Sequence, residues 1–403
     1  MYSKTFTEFV STHRQDNLQR LLLSSDKYPG IDVRLAARII SARKKINKKV
    51  PSWQHTDGLI FSDMLSTEQC SSELTADYKQ RFVKKGVVLD LTGGVGVDSF
   101  FMSKNATHLY YFEMNKELCE SAEHNFKYTG VDNITVSNCE ITADNINSLD
   151  IPKADLIYLD PARRDNNKNR VFALTECQPN LLELKDALFS LSCNILVKVS
   201  PMVDISATIR QIPEISEIHI LSVNNECKEL LFYLKKNTHI AISEIDDIKV
   251  LTVNFCNNGQ IEYFDFNFGD EGECLSEFAD GELPIFLYEP NSSILKAGAF
   301  KILGNAFGLK KIHKNTHLYT SEKKLESFPG RCFEINNVFD FNKETIKLLR
   351  NKFPKANIST RNFPLSPEEL KKILRIHDGG DIYIFGCIVK NGLKKILVCT
   401  KVN

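Results

Sequence analysis

The chain has 403 residues, of which 42% are hydrophobic, 25% charged and 10% aromatic, ordinary globular usage that excludes disorder, collagen and coiled coil as overall descriptions. Fifty-one Lys and Arg cancel fifty-one Asp and Glu, so any affinity for a polyanion has to come from local segregation of charge. Eleven cysteines without a CxxC pair, and a start from Met1 to Val10 without a signal-peptide core, read as a cytoplasmic protein with reduced thiols. No apolar stretch approaches the roughly 20 residues that span a bilayer, and His and Cys show none of the short spacings of a metal site, so neither membrane nor metal is expected.

In chain order, Phe6, Phe9 and Val10, then Leu18 and Leu21 to Leu23, predict helices with one buried face. The next helix is expected from Asp32 to Lys45. Arg34, Arg38, Arg43, Lys44, Lys45, Lys48 and Lys49 make this region basic, with Leu35, Ile39, Ile40 and Ile46 as the apolar stripe and Pro51 as the stop. This basic surface is either a solvated face or a phosphate-contacting one. A single helix is expected from Glu68 to Lys79, capped by Ser66 or Thr67.

From Gly86 the pattern alternates short β-type runs with helical stretches, the mark of parallel strands joined by crossover helices. Strands are expected at Val87–Leu91, His108–Phe112, Ile134–Ser137, Leu156–Leu159 and Ile195–Val199. Two more runs, Ile215–Val223 and Glu229–Leu234, are too close for a crossover helix and should pair antiparallel. A parallel sheet finished by an antiparallel hairpin points to an α/β, Rossmann-like class I methyltransferase sheet rather than a dehydrogenase fold. Further on, a hairpin is expected about Asn257 to Gly259, then strand Cys332–Ile335, helix Lys343–Lys352, strand Asn357–Thr360, helix Pro367–Arg375 and a terminal hairpin at Asn391 and Gly392. Charge is strongly segregated: residues 240–290 carry twelve Asp and Glu against Lys249 alone, and 301–375 carry sixteen Lys and Arg against seven acids. The expected domains are an N-terminal helical region (1–80), the sheet domain (81–236), a linking hairpin with a small ferredoxin-like α+β domain (237–325), and a final small domain (326–403).

The chemistry concentrates at strand ends. Val88-Leu89-Asp90-Leu91-Thr92-Gly93-Gly94-Val95-Gly96-Val97-Asp98 runs a strand into a glycine turn that opens a helix, so backbone and ligand can come close. A dinucleotide site wants G-x-G-x-x-G, and here Asp98 stands two residues after Gly96, where its charge would repel pyrophosphate. A cationic cofactor without phosphate suits the loop better, and S-adenosylmethionine is the common one. Asp90 can accept from a ligand amine. Glu113 closes the next strand about 20 residues on, where a carboxylate holds ribose hydroxyls. Glu140 can meet an adenine amino group and Ile141 the ring face, with Asp144 competing for the first role. Tyr158-Leu159-Asp160-Pro161-Ala162-Arg163-Arg164 ends the fourth strand with Asp160 toward the transferring methyl, and Arg163, Arg164, Lys168 and Arg170 form either a lid or a solvated loop.

These motifs resemble the bacterial class I S-adenosylmethionine-dependent methyltransferases that carry a C-terminal THUMP-like domain, a family described chiefly as candidate RNA methyltransferases. Glu68-Gln69-Cys70-Ser71-Ser72-Glu73, Thr75, Tyr78-Lys79, Phe363-Pro364-Leu365 and His377-Asp378-Gly379-Gly380-Asp381 extend the resemblance over most of the chain. It implies a THUMP-like domain at 326–403 and places Gln69, Ser72 and Thr75 beside the cofactor. The Thr-containing turn and the YLDP strand end are also similar to ribosomal RNA guanine-N2 methyltransferases. RNA uracil-C5 methyltransferases share Asp-Pro-Ala-Arg but use a cysteine after the fifth strand, where this chain has Val199-Ser200-Pro201. The order Asp160, Lys198, then Glu226 or Glu229 resembles part of the ribose 2'-O methyltransferase set. The expectation is therefore an RNA methyltransferase with catalytic Asp160, Pro161 and Arg163, and with Gln69, Thr75, Asp90, Thr92, Gly93, Gly94, Gly96, Asp98, Glu113, Glu140, Ile141 and Asp160 about S-adenosylmethionine. RNA would be gripped by the basic C-terminal region and the N-terminal basic helix. The competing readings are ribose 2'-O transfer, a protein or small-molecule methyltransferase, and a non-catalytic RNA-binding module.

Overall fold

A computed structural model describes residues 3–56, 58–163, 177–236 and 242–402. The chain divides into two units, Met1–Ser216 with Leu231–His239, and Glu217–Leu230 with Ile240–Asn403.

The first unit begins with α1 (Lys4–Thr12), α2 (Leu18–Leu23), α3 (Val33–Lys49), α4 (Met64–Gln69) and α5 (Glu73–Lys79). Asp32 caps α3 by accepting from Leu35 N at 2.9 Å, and Ile39, Ile40 and Ile46 lie on its buried face. The basic run is not one surface. Arg43 is buried and donates to the carbonyls of Leu59, at 2.8 Å, and Thr56; Lys45 pairs with Glu68; Lys49 donates to Cys70 O at 2.6 Å. Arg34, Arg38, Lys44 and Lys48 remain on the exposed side. The expected single helix over 68–79 is two, because Cys70 turns extended and Ser72 restarts the helix as the cap of α5. The helical region shares a core with the glycine turn and the helix after it: Ile46, Trp53 and Phe61 pack with Val95, Val97 and Phe101. Each such side chain contributes about 1.5–3 kcal/mol by burial.

Next come β1 (Val87–Asp90), α6 (Val97–Ser103), β2 (His108–Glu113), α7 (Lys116–Tyr128), β3 (Ile134–Asn138), β4 (Leu156–Leu159), β5 (Ala162–Arg163), β6 (Cys177–Gln178), α8 (Leu181–Leu191), β7 (Asn194–Val199) and α9 (Ile205–Gln211). β3, β2, β1, β4 and β7 lie side by side and parallel. Their continuous apolar runs suit a sheet covered on both faces, and all four residues of β4 are buried. β2 and β4 flank β1 on opposite sides, with Asp90 opposite both Tyr111 and Tyr158. That reversal of strand order opens a crevice at the carboxyl ends of β1, β2 and β4. β5 and β6 form a separate two-residue ladder. The proposed lid from Arg164 to Arg170 lies outside the described residues.

The hairpin of β8 (Ile215–Val223) and β9 (Glu226–Lys235) turns tightly at Asn224 and Asn225, both with left-handed φ of 53° and 63°. Beyond it, β10 (Lys249–Phe255) pairs parallel with β8 and antiparallel with β11 (Ile261–Asn267), so two strands extend past the expected hairpin. The remainder of the second unit comprises α10 (Asp270–Glu273), β12 (Phe286–Pro290), α11 (Ser292–Ala297), α12 (Lys301–Phe307), β13 (Lys310–His313), β14 (Thr316–Ser321), β15 (Gly330–Asp340), α13 (Lys343–Lys352), β16 (Asn357–Arg361), α14 (Pro367–Leu374), β17 (Ile382–Ile388) and β18 (Lys394–Val402). Seven of these strands make one sheet in the order β13-β14-β12-β15-β18-β17-β16. The long β15 pairs with β12 on one side and β18 on the other, so the small domain expected at 326–403 continues the sheet begun by the segment before it. Glu289, nearly fully buried, anchors this sheet by accepting from Arg331 Nε at 2.8 Å and Arg361 at 2.6 Å. Among the described residues no helix is long and apolar enough to cross a membrane, and no group of His, Cys, Asp and Glu is placed to hold a metal ion.

Candidate active site

A hollow of about 390 Å³ opens at the carboxyl ends of β1, β2 and β4, within the usual range for small-ligand sites. The glycine turn between β1 and α6 forms its floor. Gly93 is required there by packing, since a Cβ would fall 2.1 Å from the Tyr111 ring, whose hydroxyl donates to Gly94 O at 2.6 Å. Gly94 adopts φ +56° with open space above it, so bare backbone faces the hollow. Thr92 ties the floor to the next strand end, its hydroxyl accepting from Asp160 N at 2.6 Å.

Glu113 caps β2 with its carboxylate already oriented. One oxygen accepts from Gly94 N at 2.9 Å and the other from Asn115 N at 2.8 Å. A carboxylate offers about four acceptor sites, so capacity remains for two ligand hydroxyls. Asp90 is wholly buried and accepts from Thr92 N at 3.0 Å and from Ser99 Oγ. Burial, above all, lifts its carboxyl to about 7, against the opposing hydrogen bonds. On the far wall Ile141 is buried, and Glu140 accepts from Gln178 Nε2 at 2.5 Å.

Beneath the floor lies a charged network whose ion pairs cannot be read from the sequence. Asp98 meets Lys79 Nζ at 3.0 Å and Lys198 Nζ at 3.6 Å, and accepts from Tyr158 Oη at 2.7 Å and Ser71 Oγ at 2.8 Å. Burial alone would raise this carboxyl, but the two ammoniums and two hydroxyls hold it well below the ordinary carboxylate range. Lys79 has no exposed surface and also donates to Ser71 Oγ at 3.1 Å and Thr75 O at 3.2 Å. Its spacing four residues after Thr75, on the buried face of α5, was the available signal. Lys198 lies 2.5 Å from Asp160 Oδ2 and donates to Ser71 Oγ at 3.2 Å.

Of the expected site residues, Gln69, Asp90, Thr92, Gly93, Gly94, Gly96, Asp98, Glu113, Glu140, Ile141 and Asp160 all line the hollow. Thr75 does not: it is buried behind it, bonded to Ser72. Asp144 is exposed and stands outside the lining, and Pro161, half-buried, also stands outside it. Arg163 is placed by its backbone, paired with Cys177. Cys70 and Lys198 join the lining, with burial pushing the Cys70 thiol up to about 11.

Of the five carboxyl groups in the lining, Asp98 and Asp160 are paired with Lys79 and Lys198 and Asp90 is lifted to about 7, which leaves Glu113 and Glu140 without a lysine partner among the described residues. Such a wall opposes a pyrophosphate and attracts a cation. The open glycine backbone and the spare acceptor capacity of Glu113 therefore fit an adenosyl sulfonium better than a dinucleotide.

A Rossmann-like sheet with this turn and acidic strand ends defines a class I methyltransferase unit. Comparison with known proteins narrows the class. The crystal structure of a "putative methyltransferase" from Porphyromonas gingivalis W83 is 31% identical to this chain, with full coverage of both chains and a TM-score of 0.90. Residues 286–329 match the model of a ferredoxin-like domain and residues 330–401 that of a THUMP domain-like family. The chain belongs to the bacterial family of class I S-adenosylmethionine-dependent methyltransferases with a C-terminal THUMP-like domain. A "putative methyltransferase" from Streptococcus mutans, solved in complex with SAH, is 12% identical over 40% of this chain and 96% of its own, with a TM-score of 0.30. An rRNA methylase from Streptococcus thermophilus is 13% identical over 40% of this chain and 94% of its own, also with a TM-score of 0.30. No curated protein matches the chain.

Proposed function

We propose that this protein methylates RNA, with S-adenosylmethionine as donor and an exocyclic base nitrogen such as guanine N2 as acceptor. The observation that carries the reading is the acidic hollow itself, with backbone-fixed Glu113 and buried Asp90 on either side of an open glycine floor and Asp160 at the next strand end. When bound, S-adenosylmethionine supplies an activated methyl group for in-line displacement from sulfur. Glu113 accepts from the ribose hydroxyls, Glu140 from the adenine amino group, and Ile141 packs on the ring. Asp90 faces the cationic end. Asp160, its backbone N–H held by Thr92 and its carboxylate by Lys198, accepts from the acceptor amine and orients it, with Pro161 and Arg163 shaping the same strand end. RNA as the substrate class is supported by the sixteen Lys and Arg in residues 301–375 and by the family.

One observation favours a second acceptor. The ammonium of Lys198, 2.5 Å from Asp160 Oδ2, supports ribose 2'-O transfer, in which a lysine beside the aspartate would assist the hydroxyl. Mass spectrometry of nucleosides from wild-type and gene-deleted cells separates the two. Loss of a base-methylated guanosine supports the first reading, loss of a 2'-O-methylated nucleoside replaces it with the second, and an unchanged nucleoside profile refutes RNA as the substrate.

A further inference from the structure

The second unit has a cleft of its own, about 1,130 Å³, larger than the roughly 300–1,000 Å³ of pockets that take one small ligand. Its walls are the β8–β9 turn, the β10–β11 hairpin and the segment from Lys324 to Cys332. Seven carboxamide side chains stand in the lining. Asn254 Nδ2 and Asn291 Nδ2 both donate to Glu262 Oε2 at 2.8 Å, Asn254 Oδ1 accepts from Asn225 N at 2.9 Å, and Asn225 Oδ1 accepts from Ser292 N at 2.7 Å. This chain of bonds stiffens one wall and engages one carboxylate oxygen of Glu262.

Asn224 and Asn257 are exposed in the lining, and their side chains make no hydrogen bond among the described residues. Tyr263, 55% exposed as a residue, stands on β11 in the lining. Phe307 and Phe328 meet edge to face at a 5.6 Å centroid distance and give the cleft an apolar end. Lys324 and Lys401 are exposed along it, Arg331 is a third cation of the lining, and Glu262 and Glu326 are the opposing charges.

A carboxamide carries a donor and an acceptor side by side, the complement of a nucleobase edge, and an exposed aromatic ring stacks on a base of any sequence. A duplex-binding surface would instead present a row of cations to phosphates, and here carboxamides outnumber them. We infer that this cleft binds a short run of single-stranded RNA, reading base edges through Asn224 and Asn257 and stacking a base on Tyr263. The inference rests on the RNA reading above and adds a second point of contact to it.

The test uses the full chain and a labelled single-stranded RNA of about ten nucleotides, with the same sequence as a duplex for comparison. Fluorescence anisotropy is expected to show tighter binding of the single strand. Tyr263→Ala should weaken it roughly 5- to 100-fold, the value of one lost base stack. Tyr263→Phe should retain affinity, and an Asn257→Ala variant, outside the left-handed turn at Asn224 and Asn225, should weaken it with the melting temperature unchanged. Equal affinity for single strand and duplex overturns the inference, as does wild-type affinity in both alanine variants. If cellular RNA is still methylated while these variants bind normally, the cleft assignment alone fails. If no RNA is bound or methylated, the RNA reading fails and takes the cleft with it.

Discussion

Replacing Asp98 with Asn, an almost isosteric change, should unfold the first unit far more readily. The side chain keeps its volume, but two ammoniums, Lys79 with no exposed surface and Lys198 nearly buried, lose their shared counter-charge. Leaving a buried charge uncompensated costs about 3–5 kcal/mol, and an amide N–H turned toward either lysine adds donor against donor. With a urea dependence of about 2–3 kcal/mol/M for a unit of this size, the midpoint should fall by about 1–2 M. The single tryptophan makes the measurement specific: Trp53 packs against Phe61 and Phe100 beside α6, so its fluorescence follows the first unit. Adding Lys79→Met to Asp98→Asn should recover part of the loss, with a coupling of about 1–3 kcal/mol between the two sites. The sign of the pH dependence comes from the depressed carboxyl of Asp98. Its stabilisation is complete above the unfolded carboxylate value near 4 and is lost as pH falls through the folded value, so the gap between wild type and Asp98→Asn should be full at pH 7 and narrow below about pH 4. A midpoint unchanged by Asp98→Asn, or strict additivity in the double variant, would refute the electrostatic account of this network.

Gly93→Ala should abolish measurable S-adenosylmethionine binding by calorimetry and lower stability by about 1–3 kcal/mol, because its Cβ would displace the Tyr111 ring; normal binding would show that the turn is not the floor. With the Asp90 carboxyl lifted to about 7, a cationic cofactor should bind more tightly as pH rises from 6 to 8 and the group ionises, and an Asp90→Asn variant should lose that slope. Asp160→Ala should cut methyl transfer from labelled cofactor at least about 100-fold while calorimetry still registers the cofactor, and undiminished transfer would remove Asp160 from the chemistry.

Much of the first unit's architecture was readable residue by residue. β4 was expected at the residues where it lies, and the other four parallel strands differ only at their ends, because fully buried strands are continuous apolar runs and glycine turns punctuate them. Helix continuity was less legible: nothing in the composition of Glu68 to Lys79 announces that Cys70 leaves the helix and Ser72 starts another. Nor does the sequence show that β15 continues for eleven residues and serves two neighbours, since strand length there is set by partners far along the chain.

Charge is where local pattern and folded chain part. Asp98 in a glycine turn read as an open anion facing the ligand, and Arg43 as one more cation on a basic helix. In the fold Asp98 is held between two lysines, one of them 100 residues away, and Arg43 is turned inward onto carbonyls. Periodicity reports which face of an element is apolar, because that is decided by neighbours three, four or two residues away. Which ion meets which is decided by long-range packing, and the free energy of a charge depends on that partner and its distance from water. The alternation of strands and helices is therefore written along the chain, whereas the electrostatics of the hollow exist only once β1, β4, β7 and α5 have come together.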